Sequence, residues 1–150
     1  MNGRLNLQAM ADYLSPLSSL TGVLVATGYD RRYITDYGKV YPAIWLGAQR
    51  FQKTTADNDG FGMSGVYREH GKAELAVAVH VQRYSDGNPN CESSLNTLAN
   101  ALANALFAYQ AAGMDTGFII ESTQDGPLSE SVAIVYINFS AYLTYARQSP

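Results

Sequence analysis

The sequence feature that most constrains the fold is a long stretch near the carboxyl end, residues 132–146, in which apolar and polar side chains alternate. A period of two is typical of a β-strand, because successive side chains point to opposite faces of a sheet. At about 3.3 Å per residue this strand would span roughly 50 Å, well beyond the usual strand length. We therefore expect it to bend or to extend beyond its sheet, and to attract neighbouring strands. Its apolar face comprises Val135, Ile137, Phe139, Ala141 and Leu143.

Residues 74–84 alternate in the same way and predict the central strand of the sheet. Shorter apolar runs at residues 21–26, 43–51 and 118–121 predict three more strands. Turn-forming residues at 85–90 and 122–127 separate the strands, and residues 68–71 are expected to form a turn before the central strand. The buried face of the central strand is predicted to comprise Leu75, Val77, Val79 and Val81.

Two helices are also predicted. Apolar residues recur at helical spacing from Leu5 to Leu17, and Pro16 should end this first helix near Ser15. The second helix begins at about Glu92, where acidic and hydroxyl side chains suit a helix start, and Gly113 is a plausible stop. Its apolar stripe comprises Leu95, Leu98, Leu102, Leu106 and Tyr109.

This order of elements predicts the fold class. Strands joined by turns, with too few helices to cross over every strand pair, favour an α+β domain with a mainly antiparallel sheet and two helices packed on one face. The 150 residues suffice for one domain with a sizeable core, and we expect residues 1–150 to form it, with an extended loop near 52–65.

Composition excludes several classes of protein. Apolar residues make up 47% of the chain and charged residues only 15%, which indicates a folded chain rather than a disordered one. The net charge of −3 gives no overall attraction for nucleic acid or an acidic membrane. The single cysteine, Cys91, excludes an internal disulfide, and together with a start that lacks a signal-peptide core it favours a cytoplasmic protein. Polar residues interrupt the longest uncharged stretch, so no membrane span is expected.

No catalytic, cofactor-binding or metal-binding residue is predicted. Residues 60–65 match G-x-G-x-x-G, but neither a buried strand before them nor a helix after them is predicted, so a loop is the better interpretation. Residues 55–60 resemble the start of a calcium loop, yet Val66 stands where the closing carboxylate is required. His70 and His80 have no identifiable partners, and Cys91 has no visible base. We expect a protein that is not an enzyme and needs no cofactor.

Charge patterning favours self-assembly. Residues 93–114 contain no charged side chain, so the outer face of the second helix is suited to being covered by another chain, although an ordinary solvated face explains it equally well. Residues 1–83 hold nine Lys/Arg against seven Asp/Glu, whereas residues 84–150 hold one against six. Opposite signs on two regions suit a head-to-tail contact that closes a ring.

The order of the predicted strands, turns and helices resembles that of a known family, the tail terminator (tail completion) proteins of tailed bacteriophages. The resemblance covers about half the chain and rests on Arg68-Glu69-His70-Gly71, strand 74–84, Asp86-Gly87, the Leu/Ala/Asn helix, strand 118–121, Gly126-Pro127 and the final strand. It implies a structural virion protein, assembled in the host cytoplasm and located in the tail or neck. Its partners would be itself in a homohexameric ring, the tail tube protein and a neck or head-completion protein. DNA would pass through the ring without sequence-specific binding, and no membrane is involved.

Contact residues can be suggested on this basis. The loop is expected to form an arm that touches the tube or a neighbouring subunit, and asparagines on the second helix are expected to form a subunit contact. The arm residues are Lys53, Asp57, Asp59, Phe61 and Met63, the helix residues Asn96, Asn100 and Asn104, and the sheet residues on a contact face Tyr136 and Tyr142.

Three alternatives remain open. A head-closure or connector subunit of the neck would have a similar size and layout. A single-stranded nucleic-acid-binding module could stack bases on tyrosines, but basic residues are absent from 84 to 146. A small hydrolase or ligand-binding module would require a deep pocket in which His80 has a carboxylate neighbour.

Overall fold

The computed structural model describes residues 4–54, 66–83, 90–111, 113–127, 129 and 131–148. These residues form three α-helices, a short 3₁₀ helix and five strands. In chain order the elements are α1 (Leu7–Leu14), the 3₁₀ helix (Ser18–Leu20), β1 (Leu24–Thr27), α2 (Arg32–Asp36), β2 (Ala43–Lys53), β3 (Val66–Gln82), α3 (Cys91–Ala108), β4 (Ile119–Asp125) and β5 (Val132–Gln148). The strands form one sheet in the order β1-β2-β3-β5-β4. Only β1 and β2 are parallel, so the predicted α+β fold with a mainly antiparallel sheet is confirmed.

The two longest strands, β3 and β5, form the centre of the sheet. Each has seventeen residues, and they pair without a break from Val66 opposite Gln148 to Gln82 opposite Val132. The partner strands are shorter: β2 pairs with β3 only as far as Gly71, and β4 pairs with β5 only between 135 and 140. Residues 66–70 and 144–148 therefore continue as a two-stranded ribbon, which confirms that the last strand extends beyond its sheet.

The main core lies on one face of the sheet, beneath α1 and α3. Register places apolar residues of β3 beside those of β5, such as Leu75 opposite Phe139 and Val77 opposite Ile137, and all four are buried. Helix α3 covers them with the predicted stripe, and Leu102 and Leu106 are fully buried. Helix α1 begins at Asn6, whose side chain accepts a hydrogen bond from the Ala9 amide. The prediction of two helices on one face is confirmed.

Several predicted boundaries were wrong. Residues 68–71 belong to β3 and residues 122–125 to β4, although both were expected to be turns. In each case β5 offers a continuous row of backbone hydrogen-bond partners, and pairing outweighs local turn propensity. Helix α3 ends at Ala108, five residues before the predicted stop at Gly113, because Tyr109 adopts an extended backbone and is buried against Tyr13. The connection between β1 and β2 also contains the unpredicted helix α2.

A close backbone approach connects the end of α3 to the start of β4. The Phe118 amide donates to the Leu106 carbonyl at 3.3 Å, and a Cβ atom at Gly117 would overlap the carbonyl oxygen of Phe107. The contact requires glycine because the atoms that an added Cβ would meet belong to the Phe107 backbone and cannot rotate away. Gly117 therefore holds β4 in place at the edge of the sheet.

The first prediction tests this contact. Gly117→Ala should lower the free energy of unfolding by at least about 2 kcal/mol, because the new methyl group forces α3 and β4 apart. The matched control is Gly28→Ala, where the nearest heavy atom to an added Cβ is the Leu46 carbonyl oxygen at 3.7 Å. We expect the control to remain within about 1 kcal/mol of the wild type in urea denaturation. Equal midpoints for the two variants would show that the approach is not tight.

Candidate interaction surfaces

The second face of the sheet is covered on one half by aromatic side chains from the connection between β1 and β2. Tyr33 and Tyr37 pack on Trp45, with ring centroids 5.5 and 6.0 Å apart, and Tyr37 also lies edge-on to His80 at 4.7 Å. Trp45 and His80 are consequently buried. This half of the second face forms a small core of its own rather than an open surface.

The two candidate tyrosines of β5 share the second face but have different surroundings. Tyr136 is half-buried in the aromatic cover, and its hydroxyl accepts a hydrogen bond from the Tyr37 hydroxyl at 3.4 Å. Burial, assisted by this bond, raises the pKa of Tyr37. Tyr142 lies on the uncovered half and is 47% exposed. Of the two, Tyr142 is the one whose ring is open to a partner.

His80 does not have the surroundings that a hydrolytic site requires. It is fully buried on β3, and neither ring nitrogen has a hydrogen-bond partner among the described residues. Burial lowers the pKa of its imidazole to about 4, so it is neutral near pH 7. The pocket with a carboxylate beside His80, which the hydrolase alternative would require, is not found among the described residues, and His80 packs against Tyr37 beside the small core.

The uncovered half of the second face carries a polar network. The Lys72 ammonium lies 3.0 Å from Glu121, and the buried Ser140 hydroxyl donates to the same carboxylate oxygen at 2.6 Å. The Ser140 hydrogen bond and then Lys72 lower the pKa of Glu121, while Glu121 raises the pKa of Lys72. Glu121 lies at a register shift in β4, while Lys72 belongs to β3 and Ser140 to β5. The network therefore connects the edge strand to both central strands.

A second group of hydrogen-bonded polar residues lies further along this half. The His70 ring nitrogen Nδ1 is 2.7 Å from the Thr144 hydroxyl, which donates to Asp115 at 2.6 Å. His70 therefore lies on β3 beside β5 and not in the turn that the sequence predicted. These hydrogen bonds connect the segment between α3 and β4 to the ribbon formed by β3 and β5.

The asparagines of α3 lie where the sequence predicts them. Asn96, Asn100 and Asn104 are all exposed, and the helix face opposite the sheet carries no charge between 93 and 108. They form one polar surface, which the structure leaves uncovered.

The arm residues are only partly described. Lys53 is the last residue of β2, its side chain is 49% exposed, and its ammonium lies 4.0 Å from the carboxylate of Glu69. Asp57, Asp59, Phe61 and Met63 lie outside the described residues, as do the G-x-G-x-x-G segment and the calcium-like segment.

Two exposed apolar surfaces were not identified from the sequence. The first, here called the α2 patch, belongs to the connection between β1 and β2 and consists of Tyr29, Tyr33 and Ile34. The second, the β4 patch, lies at the opposite edge of the sheet and consists of Phe107, Ile119, Ile120 and Tyr142. The adjacent pair Ile119-Ile120 was the sequence signal for the second patch. Successive side chains of a strand point to opposite faces of the sheet, so helices on one face cannot bury both isoleucines.

Other kinds of site find no support within the described ranges. These residues contain no group of three or more His, Cys, Asp or Glu side chains that could hold a metal ion. The helices of this part of the chain include none long and apolar enough to span a membrane. Cys91, the first residue of α3, is a half-buried free thiol.

Comparison with known proteins reveals a similarity of fold. No protein-family model and no curated protein sequence matches the chain. A chain from the virion of a native gene transfer agent particle matches with a TM-score of 0.62 and 16% sequence identity. The similarity covers 93% of this chain and 95% of that one. The fold is thus one that occurs, almost end to end, in a component of a virion particle.

The second prediction concerns the buried histidine. The folded pKa of His80 is about 4 against an ordinary 6.5, so the unfolded state binds more protons between these values. Stability is fully present above about pH 6.5 and is lost as the pH falls towards 4, by about 2 kcal/mol between pH 7.5 and pH 5. His80→Phe keeps an aromatic ring without a titrating group and should remove this part of the loss. Urea denaturation of both proteins at the two pH values measures it, and parallel losses would contradict the assignment.

Proposed function

We propose that this chain is a structural protein of a tailed-phage-like virion that forms a closed ring on the end of the tail tube and stops its polymerisation. The observation that carries the proposal is the similarity in fold, over 93% of the chain, to a chain of a gene transfer agent virion. The resemblance to tail terminators drawn from the sequence supports the same conclusion. The neutral, buried His80 agrees with a function performed by surfaces rather than by a reaction.

The proposed mechanism is geometric. A ring whose one face fits the last ring of the tube, and whose other face does not, ends the polymer because no further tube subunit finds complementary contacts. The second face would instead receive a neck or head-completion protein. DNA would pass through the opening, held by no sequence-specific contact.

Particular surfaces are suited to these contacts. The ribbon of residues 66–70 and 144–148 projects beyond the sheet and leads into the loop that contains Asp57, Asp59, Phe61 and Met63, so this end of the molecule is the proposed arm towards the tube. The asparagine surface of α3 is exposed and carries no charge, so it can be buried against another subunit without desolvating an ion.

The third prediction tests the capping function. Purified protein should form a ring in native mass spectrometry, with a hexamer as the expected mass. Added to polymerising tube protein of the same virus, it should shorten the tubes and be seen at one end by electron microscopy. A ring that binds the portal complex but leaves tube length unchanged would instead identify a neck connector, and a chain that stays monomeric with both partners would contradict the proposal.

The fourth prediction tests the asparagine surface. Asn100→Lys should raise the dissociation constant of the ring at least about tenfold, because the ammonium loses water on burial without a partner. The matched control is Gln8→Lys, which makes the same amide-to-ammonium change at an exposed position of α1. Circular dichroism of both variants should match the wild type. Equal ring stability for the two variants would remove Asn100 from the interface.

A further inference from the structure

The exposed apolar side chains of this protein are divided between two distant places. Among the residues whose side chains are described, which leave out 66–68 and 145–148, every large apolar side chain that is exposed belongs to the α2 patch or the β4 patch. Ile34 is 87% exposed in the first patch, and Phe107 is 62% exposed in the second. The β4 patch lies at one edge of the sheet, whereas the α2 patch belongs to the connection that packs over β2 and β3. Exposed apolar clusters of this kind mark interaction sites.

Strand β4 lacks the lysine and proline that often protect the edge of a sheet. All seven of its residues are exposed, and Ile119 and Ile120 are 50% and 45% exposed. Isolated edges usually carry lysine or proline, but β4 contains neither. Its only charged residues are Glu121 and Asp125. An edge of this composition is suited to contact with another chain.

The charges around the two patches are complementary. The segment that carries the α2 patch, residues 28–42, holds Arg31, Arg32 and Lys39 against Asp30 and Asp36, so its net charge is +1. Arg32 is paired with Asp30, whereas the exposed Arg31 and Lys39 form no ion pair with another described residue. Residues 113–127, which carry most of the β4 patch, include Asp115, Glu121 and Asp125 but no Lys or Arg. Lys72 of β3 is paired with Glu121, so Asp115 and Asp125 give this side its negative charge. Two β4 patches brought together would oppose like charges, whereas a β4 patch and an α2 patch would oppose unlike charges.

We propose that the β4 patch of one copy docks on the α2 patch of the next copy. The contact is head-to-tail, because it joins two different surfaces of the chain, and contacts of this kind close into a ring when the rotation between copies permits it. This inference rests on the proposed ring function and names the surfaces that would build the ring. The exposed isoleucines of each patch would lie at the centre of the contact, with the charged residues around them.

Two single substitutions can block the two surfaces separately. Ile119→Lys places a positive charge in the β4 patch, which would then face the basic surroundings of the α2 patch. Ile34→Glu places a negative charge in the α2 patch, which would face the acidic β4 patch. Both side chains are at least half exposed in the single chain, so neither substitution should affect folding. Ala9→Lys and Ala9→Glu at an exposed position of α1 introduce the same charges outside both patches.

Native mass spectrometry of the variants, alone and mixed, tests the proposal. Each patch variant alone should be monomeric where the wild type is a ring, with a dissociation constant at least about tenfold higher, and both Ala9 controls should form rings. Mixed, the two patch variants should form complexes with equal numbers of each, because one intact β4 patch then meets one intact α2 patch.

The outcomes separate the contact from the function. A patch variant that dimerises alone through its intact surface would indicate a self-complementary contact and overturn the inference. Wild-type-like rings from both patch variants would also overturn it, while leaving the proposed ring in place. A wild type that stays monomeric with its tube protein would overturn the proposed function itself.

Discussion

The rest of the structure depends on the pairing of β3 with β5 over seventeen residues. Because the alternation of the two strands is in register, apolar residues of both fall on one face and create a continuous surface that α1 and α3 can cover. The same pairing places the alternate residues of both strands, which are partly polar and partly apolar, on the other face. A shift of one residue would exchange the faces and expose the main core, so the register also determines which surfaces remain available for contacts. Since β2 and β4 are shorter, the pair continues as a ribbon beyond them.

The second face shows how one surface serves two purposes. Its first half is closed by Tyr33 and Tyr37 over Trp45 and His80, which converts a sheet surface into core. Its second half remains open and holds Lys72, Glu121 and Ser140 in a polar network next to the edge strand. The network connects β4 to the centre of the sheet without covering it. The edge strand is thereby held to the sheet by side-chain contacts and is exposed at once, which suits a contact between preformed subunits.

The similarity to a virion chain at 16% identity shows how little of the sequence this fold prescribes. A core of this kind accepts many apolar combinations of suitable volume, whereas contacts between subunits depend on particular side chains. For that reason the proposed contacts are argued from residues of this chain, such as Ile34 and Ile119, rather than from the neighbour.

The sequence alone determined the fold class, the long strand β5, the buried stripe of α3 and the exposure of its asparagines, because each follows from a periodicity that burial imposes on neighbouring residues. It did not determine where β3 begins or where β4 ends, since those limits depend on the partner backbone of β5 rather than on local propensity. Nor could it show that Tyr136 is half-buried while Tyr142 is exposed, although both occupy the same face of one strand. That difference arises because the connection after β1 folds back over only half of the sheet. Tertiary structure also placed Ile119 and Tyr142 on the same face of the sheet, because residues distant in the chain become neighbours only when the strands have paired.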